Sequence, residues 1–167
     1  MKKYKRAESA EEVKEYIKHA DVVSFDFETA PDGKYRDDKM AAIDVHKSHI
    51  TGISFSTKPG EGIYVPIKHR DTKHNVDMHK ILKEFSESNK IKVAHNLAFE
   101  AMFLYGENIV IKPPVYDTLL AAMMTLKTKT EFRNLSDCGL KKLVPELLHT
   151  ELPTFSDVTS GKHLDEL

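Results

Sequence analysis

Hydrophobic and polar positions alternate along three segments in the first half of the chain. Apolar side chains largely alternate with polar or small ones in residues 22–28, 50–56 and 63–67, which is the period of a β-strand with one buried face. A turn rich in proline and glycine at residues 59–62 joins the second and third segments. These two segments are therefore predicted to form an antiparallel hairpin.

Other segments show the helical period, with apolar residues recurring every three or four positions. The predicted helices run from Ser9, as N-cap, to about residue 19, from Met78 through Phe85, and over 97–105, 117–126 and 133–142. Short strands are predicted at 91–95 and 115–116. Loops are predicted for the charged stretch from residue 31 to about 47, for residues 68–77 and for the tail from Pro153.

This order of elements predicts an α/β fold. Strands that come first in hairpins and then alternate with helices indicate one mixed sheet, with three antiparallel strands followed by parallel strands, flanked by helices. The length of 167 residues suits a single domain, residues 1–167.

Composition and charge limit the class of protein, its mode of nucleic-acid binding and its compartment. A hydrophobic fraction of 40% with 31% charged residues is ordinary for a soluble globular protein. The net charge of −1 argues against extended duplex binding but allows a strand end to be held briefly. The single cysteine, Cys138, suits a reducing compartment, and there is neither a signal peptide nor an apolar stretch of membrane length. We therefore expect a cytoplasmic protein with no membrane partner.

Two acidic side chains share the polar face of the first predicted strand. Valine and phenylalanine side chains lie on one face of this strand, whereas Asp26 and Glu28 lie on the other, about 7 Å apart along its axis. Two carboxylates on an apolar strand are unfavourable unless solvent, a positive group or a metal ion compensates them. The pattern fits either a solvated edge strand or a divalent-cation site.

A further acidic position follows the predicted strand at 91–95. Asn96 lies where this strand ends and a helix begins, so its side chain is predicted to cap the helix. Glu100 lies about one turn further, on the side that faces the strand ends. Each residue also has an ordinary interpretation, Asn96 as a plain cap and Glu100 as a surface residue.

Three motifs in order give these residues a family context. They are Phe-Asp-x-Glu-Thr at 25–29, His-Asn-x-x-Phe-Glu at 95–100 and Tyr-Asp-Thr-Leu-Leu-Ala-Ala at 116–122. In this order and spacing they resemble the ribonuclease-H-like 3′–5′ exonucleases that use four carboxylates, in particular the proofreading domain of family A polymerases of the DNA polymerase I type. The same resemblance extends to segments 51–55, 64–67 and 139–143.

The resemblance implies a ribonuclease-H-like mixed sheet and hydrolysis at the 3′ end of single-stranded DNA, next to a polymerase domain. It implies two Mg²⁺ or Mn²⁺ ions about 4 Å apart. Asp26 would bridge the ions, Glu28 would bind the one that carries the attacking water, and Glu100 would reach the second ion. The family usually has aspartate at the position of Glu100, so the extra methylene changes the geometry there.

The resemblance also implies contacts with the terminal nucleotides. Matching family positions are occupied by Thr29, His95, Asn96 and Phe99, and stacking on an aromatic ring would tolerate any base. The alternative for Phe99 is a core position, because it lies at helical spacing from Phe103.

Several polar residues outside these motifs have a functional and a plain interpretation. Arg133 forms a modest basic cluster with Lys127 and Lys129 that could meet backbone phosphates or remain solvated. Asp117 is predicted to cap a helix rather than bind metal. The histidines between residues 46 and 79 lack zinc-site partners and are predicted to be solvated.

The sequence departs from the family at the fourth carboxylate. That residue normally belongs to a later Tyr-x-x-x-Asp or His-x-x-x-x-Asp motif, and no tyrosine or histidine of this chain has an aspartate at that spacing. Asp157 or Asp165 is a possible substitute, although a loop residue would hold a metal loosely. Two hypotheses follow: a metal-dependent exonuclease domain lacking its C-terminal motif, or an inactive module of the same fold that holds DNA or serves a structural role.

Overall fold

The structure, a computed structural model, describes residues 3–38, 40–126 and 134–167. Six strands in this part of the chain form one sheet. They are Lys3–Arg6 (β1), Val22–Pro31 (β2), Ser48–Ser56 (β3), Glu61–Pro66 (β4), Ile91–Ala94 (β5) and Val115–Asp117 (β6). Their order across the sheet is β1-β4-β3-β2-β5-β6.

Strand directions confirm the predicted mixed sheet. The strands β2, β3 and β4 pair antiparallel, and β5 and β6 continue the sheet parallel to β2. The edge strand β1, which pairs in parallel with β4, is not predicted by the pattern analysis. All four of its residues are exposed and three are basic, so no apolar alternation marks it as a strand.

The first four helices also follow the predictions closely. They are Ala10–Ile17 (α1), His79–Glu87 (α2), Leu97–Gly106 (α3) and Thr118–Leu126 (α4). The hydroxyl of Ser9 accepts a hydrogen bond from the backbone N–H of Glu12 at 3.2 Å, so this residue caps α1 as predicted.

The C-terminal third differs from the prediction. A helix is predicted over 133–142, but the described residues form a 3₁₀ turn at Leu135–Cys138. The next α-helix, Leu140–Leu148 (α5), begins after this turn. The predicted loop after Pro153 contains a short helix, Phe155–Thr159 (α6), and a 3₁₀ turn at Leu164–Glu166. Gly139 is extended and interrupts the helical period that the sequence shows.

The hydrophobic core lies on one face of the sheet, against α1, α2 and α3. The rings of Phe25 and Phe55 meet that of Phe85 edge to face, each with a centroid separation of 5.4 Å, a favourable geometry for aromatic pairs. A second, smaller cluster joins α4 to α5 through Leu119 and Leu143. No helix in the described ranges is long and apolar enough to cross a membrane.

A buried ion pair fastens the C-terminal turn to the loop after β2. The guanidinium of Arg36 donates to both carboxylate oxygens of Asp165, one of them at 3.2 Å, and Asp165 is only 3% exposed. Arg70 adds a longer contact of 3.6 Å. Burial alone would raise the pKa of Asp165, but the hydrogen bond and the charge of Arg36 hold it below its usual value.

The Arg36→Ala variant is expected to lower the free energy of unfolding by about 3 kcal/mol, because a buried carboxylate loses its main partner. The matched control is Lys14→Ala, which breaks the exposed Lys14–Glu84 pair and should cost much less, because solvent screens that pair. Urea unfolding followed by circular dichroism measures both. Equal losses in the two variants would contradict a structural role for the buried pair.

Candidate active site

Asp26 and Glu28 project from the sheet face opposite the core. Asp26 is paired in register with Ser54 of β3, and Glu28 with Gly52, so small residues flank both carboxylates. The register shifts between Glu28 and Thr29, and such a bulge re-aims the side chains beside it. The hydroxyl of Thr51 donates to the carbonyl oxygen of Glu28 at 3.0 Å and holds the irregular backbone there.

Glu100 approaches the middle of β2 from the first turn of α3, near the backbone amide of Phe27. Its side chain is 1% exposed, and Oε2 has no hydrogen-bond partner within the described structure. Burial, with a smaller repulsion from Asp26, raises the pKa of Glu100 to about 7, although nearby backbone amides of Glu100 and Phe27 partly offset this. An unpartnered buried carboxylate oxygen is unfavourable and needs an explanation.

The three carboxylates influence one another through Asp26. Burial and the negative charge of Asp26 raise the pKa of Glu28 to about 7. Asp26 is exposed to solvent at the rim, yet the protein around it displaces enough water to raise its pKa as well. No lysine or arginine within residues 3–38, 40–126 and 134–167 forms an ion pair with any of the three.

The donor chemistry of this acidic rim, Asp26, Glu28 and Glu100, suits a hard divalent cation. Carboxylate oxygens are the ligands that Mg²⁺ and Mn²⁺ prefer, and a cation would relieve both the mutual repulsion and the unpartnered Oε2. In the described residues, however, no three His, Cys, Asp or Glu side chains already surround a common point. Metal binding would therefore require the carboxylates to turn towards one another.

Asp117 organises the helix ends behind the acidic rim. Its carboxylate accepts hydrogen bonds from the backbone N–H groups of Asn96, Leu97 and Leu119 at 3.0, 2.9 and 2.8 Å. It therefore caps α4, as predicted, and α3 as well. The prediction that the Asn96 side chain caps α3 is wrong: this exposed residue has a left-handed backbone (φ 68°) and makes no side-chain cap.

The other residues predicted to contact nucleotides differ in how accessible their side chains are. The Thr29 hydroxyl already donates to the carbonyl oxygen of Ala42 at 2.6 Å, and the Phe99 ring is half-buried, 4.8 Å from that of Phe103. His95 lies in the same cleft as Asp26, with Nδ1 hydrogen-bonded to the hydroxyl of Thr118 at 2.9 Å.

Arg133, Lys127 and Lys129 lie outside the described residues, so the predicted basic cluster stays a prediction. Both candidates for the fourth carboxylate are engaged elsewhere. Asp165 pairs with Arg36, and Asp157 caps α6 by accepting from Thr154.

Two residues that the sequence analysis did not select lie beside Glu28. The hydroxyl of Tyr64 and Nε2 of His69 are 2.7 Å apart, and both side chains line a cleft of about 310 Å³ together with Glu28. His69 is half-buried, so the prediction of solvated loop histidines is wrong for it. The glycine at position 52 could have been a signal, because glycine inside a strand often marks a close approach.

The other histidines between residues 46 and 79 vary in environment. His46, His74 and His79 are exposed as predicted. His49 is half-buried, with Nδ1 2.8 Å from a carboxylate oxygen of Asp32, so the prediction is wrong for this residue too.

Comparison with known sequences identifies the relatives of this chain. A family model described as 3′–5′ exonuclease matches residues 1–162. The DNA polymerase I of Borreliella burgdorferi is 29% identical over 113 residues, which are 66% of this chain and 11% of that protein. The DNA polymerase I of Pseudomonas aeruginosa is 24% identical over 135 residues, 76% of this chain and 14% of that protein. The chain thus spans a small part of these relatives.

Solved structures share the fold. Brucella melitensis NrnC with bound Mg²⁺ has a TM-score of 0.63 at 17% identity, with 97% of this chain and 69% of that chain covered. Escherichia coli RNase D, an exoribonuclease involved in structured RNA processing, has a TM-score of 0.64 at 14% identity, with 96% and 36% covered. At these identities the likeness concerns the fold alone, and it confirms the predicted ribonuclease-H-like α/β architecture.

The Glu100→Gln variant is expected to be more stable than wild type at pH 8 without divalent cations. The folded-state pKa of Glu100, about 7, lies above its unfolded value. Wild type therefore loses stability as pH rises from about 4.5 to 7, by at most about 3 kcal/mol. The variant lacks this loss, so its advantage should shrink towards pH 5.

Thermal unfolding at pH 5, 6, 7 and 8 measures this difference. Glu146→Gln, at an exposed position on α5, serves as the matched control and should have the wild-type melting temperature at every pH. A constant difference between Glu100→Gln and wild type across the series would contradict a raised pKa at Glu100.

Proposed function

Because the chain belongs to the 3′–5′ exonuclease family, we propose that it hydrolyses the terminal phosphodiester of single-stranded DNA from the 3′ end. The observation that carries this proposal is the acidic rim formed by Asp26 and Glu28 in the middle of β2 and by Glu100 on α3. The third carboxylate lies more than 70 residues later in the sequence than the two on β2, and the three interact through Asp26. A cluster of like charges is maintained at a stability cost that divalent cations would offset.

Two Mg²⁺ or Mn²⁺ ions, when bound, would activate a water molecule and stabilise the leaving 3′ oxygen. Asp26 would hold the ions together with both glutamates, because its charge acts on Glu28 and on Glu100. Glu28 would hold a cation next to the cleft of about 310 Å³, the smaller cleft, from which the attacking water would enter. Glu100 would hold a cation from its buried position on α3. His95 is proposed to contact the terminal nucleotide, because it lines the larger cleft of about 500 Å³ together with Asp26.

The remaining proposed nucleotide contacts differ in how freely the side chains can reach a bound strand. Asn96 is exposed at the start of α3 and is free to meet a sugar or phosphate. Phe99 offers only a half-buried ring, and the Thr29 hydroxyl would have to leave Ala42. We assign the contact at Asn96 more weight than those at Phe99 and Thr29, and Arg133 rests on sequence alone.

The setting we propose is the proofreading part of a DNA-polymerase-I-like protein. The support is that both relatives named above are DNA polymerase I. Because the fold is shared with RNase D, which is an exoribonuclease, RNA and DNA oligonucleotides of the same sequence should be compared. We expect DNA to be shortened faster.

The second candidate is a DNA-holding module without catalytic activity. The observation that favours it is the engagement of Asp157 and Asp165 in other contacts, which leaves three acidic ligands from the described residues. A metal site with fewer charged ligands binds more weakly. The two candidates differ in turnover, so one assay distinguishes them.

The wild-type chain is expected to shorten a 5′-labelled single-stranded oligonucleotide slowly in Mn²⁺, and Asp26→Ala should reduce the rate at least about 100-fold. Denaturing gel electrophoresis resolves the products. The matched control is Asp37→Ala, an exposed aspartate in the loop after β2, which should leave the rate unchanged. Shortening that persists in Asp26→Ala would contradict the assignment, and strand binding without any shortening would favour the inactive module.

Mn²⁺ binding should be accompanied by proton release, because a metal competes with the protons on carboxyls whose pKa is about 7. Affinity should rise about tenfold between pH 6 and pH 8. Calorimetry in buffers of different ionisation enthalpy measures both effects. Glu28→Ala should weaken binding, whereas Glu151→Ala, in the exposed tail, should not. Identical heats for wild type and Glu28→Ala would remove Glu28 from the site.

A further inference from the structure

The Tyr64 side chain lies on the open face of the sheet, over Gly52. A Cβ atom built at Gly52 would lie 2.0 Å from the Tyr64 hydroxyl and 2.4 Å from the ring carbon that bears it. Gly52 is paired directly with Glu28 on the next strand, and neighbouring strands lie about 4.8 Å apart. The glycine therefore makes room for a phenol hydroxyl one strand away from a proposed metal ligand.

His69 holds this hydroxyl through the 2.7 Å contact between its Nε2 and the Tyr64 oxygen. His69 is itself positioned by Asn75, whose side chain accepts from the His69 backbone N–H and donates to the His69 carbonyl oxygen, both at 2.9 Å. The adjoining backbone is held as well, because the N–H groups of Ile67 and Lys68 both donate to the Thr51 carbonyl oxygen. Such support fixes a side chain in the way functional sites require.

We propose that the Tyr64 hydroxyl, held over Gly52 by His69, is a further positioning group of this site and fixes the water molecule that enters beside Glu28. The inference rests on the proposed hydrolytic function and deepens it. Tyr64 lines both clefts, the larger one with Asp26 and the smaller one with Glu28. It thus stands at the point where a nucleotide in one cleft and a water in the other would meet.

The chemistry of the pair suits this role. Burial lowers the pKa of His69, which favours a neutral imidazole. Its Nε2 can then accept a hydrogen bond from the Tyr64 hydroxyl. The Tyr64 oxygen then keeps its lone pairs for a proton of the incoming water. A water held in this way directs its own lone pair away from the phenol, towards the phosphorus of a bound strand end.

The deciding variant is Tyr64→Phe, which removes the hydroxyl and keeps the ring over Gly52. With the 4-nitrophenyl ester of thymidine 5′-monophosphate and Mn²⁺, we expect kcat to fall about 10- to 100-fold and KM to change less than about twofold. The matched control is Tyr105→Phe, at an exposed tyrosine on α3 that lines neither cleft, and it should change neither constant.

His69 variants test whether the histidine acts through Tyr64. His69→Gln keeps a group that can hydrogen-bond the phenol and should retain most of the activity, whereas His69→Leu should match Tyr64→Phe. A structural role alone would lower the melting temperature in step with kcat. We expect all three variants to melt within a few degrees of wild type while kcat separates them.

A binding measurement covers the case of a chain that holds nucleotide without turnover. The ring nitrogen resonances of His69 should shift when Mg²⁺ and thymidine 5′-monophosphate are added to wild type, because the hydrogen bond at Tyr64 changes. In Tyr64→Phe the nucleotide should still bind, and the His69 resonances should stay in place.

The outcomes separate this inference from the proposed function. If wild type neither hydrolyses the ester nor binds the nucleotide, both are overturned. If Asp26→Ala is inactive but Tyr64→Phe retains the wild-type kcat, the function stands and the role of Tyr64 is overturned. If the chain binds the nucleotide without turnover, His69 resonances that do not shift on addition of Mg²⁺ and nucleotide overturn the role of Tyr64. Resonances that shift in wild type but not in Tyr64→Phe support that role.

Discussion

One constraint on β2 controls the rest of the site: its two faces must meet opposite environments. Phe25 and Phe27 pack into the core, and the carboxylates of Asp26 and Glu28 project to the other side. Because strand side chains alternate with a period of two, a slip of one residue would bury the acids and expose the rings. The aromatic packing against Phe85 therefore fixes where the charges of Asp26 and Glu28 lie.

Asp117 extends this control to the third carboxylate. By accepting from the amides at the starts of both α3 and α4, it ties the two helices to the end of β6. Glu100 lies in the first turn of α3, so its height above the sheet follows from this one capping interaction. A residue that sequence spacing identifies as a plain helix cap thus positions a group on another helix.

The sequence predicted the parts of the fold that obey a local rule. The alternation in β2 and the hairpin of β3 and β4 follow from hydrophobic period and turn residues, and the acidic face of β2 follows from the same period. The edge strand β1 could not be predicted, because its pairing with β4 is a tertiary contact that leaves no apolar pattern. The same holds for the cap on α3, which comes from Asp117, 20 residues beyond Leu97, rather than from the adjacent Asn96.

The residue types of the candidate site follow from the sequence motifs, whereas its geometry does not. Motif spacing led to Asp26, Glu28 and Glu100, but whether their oxygens can surround a common ion depends on rotamers that no local rule determines. Tyr64 and His69 were missed for a different reason. Their partnership depends on the space over Gly52, and a glycine in a strand reveals that something approaches closely without revealing what.

The neutral character of Tyr64 and His69 has a consequence for the acidic rim. A lysine or arginine at the same place would neutralise Glu28 permanently and compete with any cation for it. A phenol held by a neutral imidazole donates and accepts hydrogen bonds without adding positive charge, so the negative potential that attracts a divalent ion persists. Under the proposed function, Glu28 and Glu100, both with a pKa of about 7, would exchange protons for metal near neutral pH. The rim can bear this repulsion because the aromatic core behind β2 holds the strand in place.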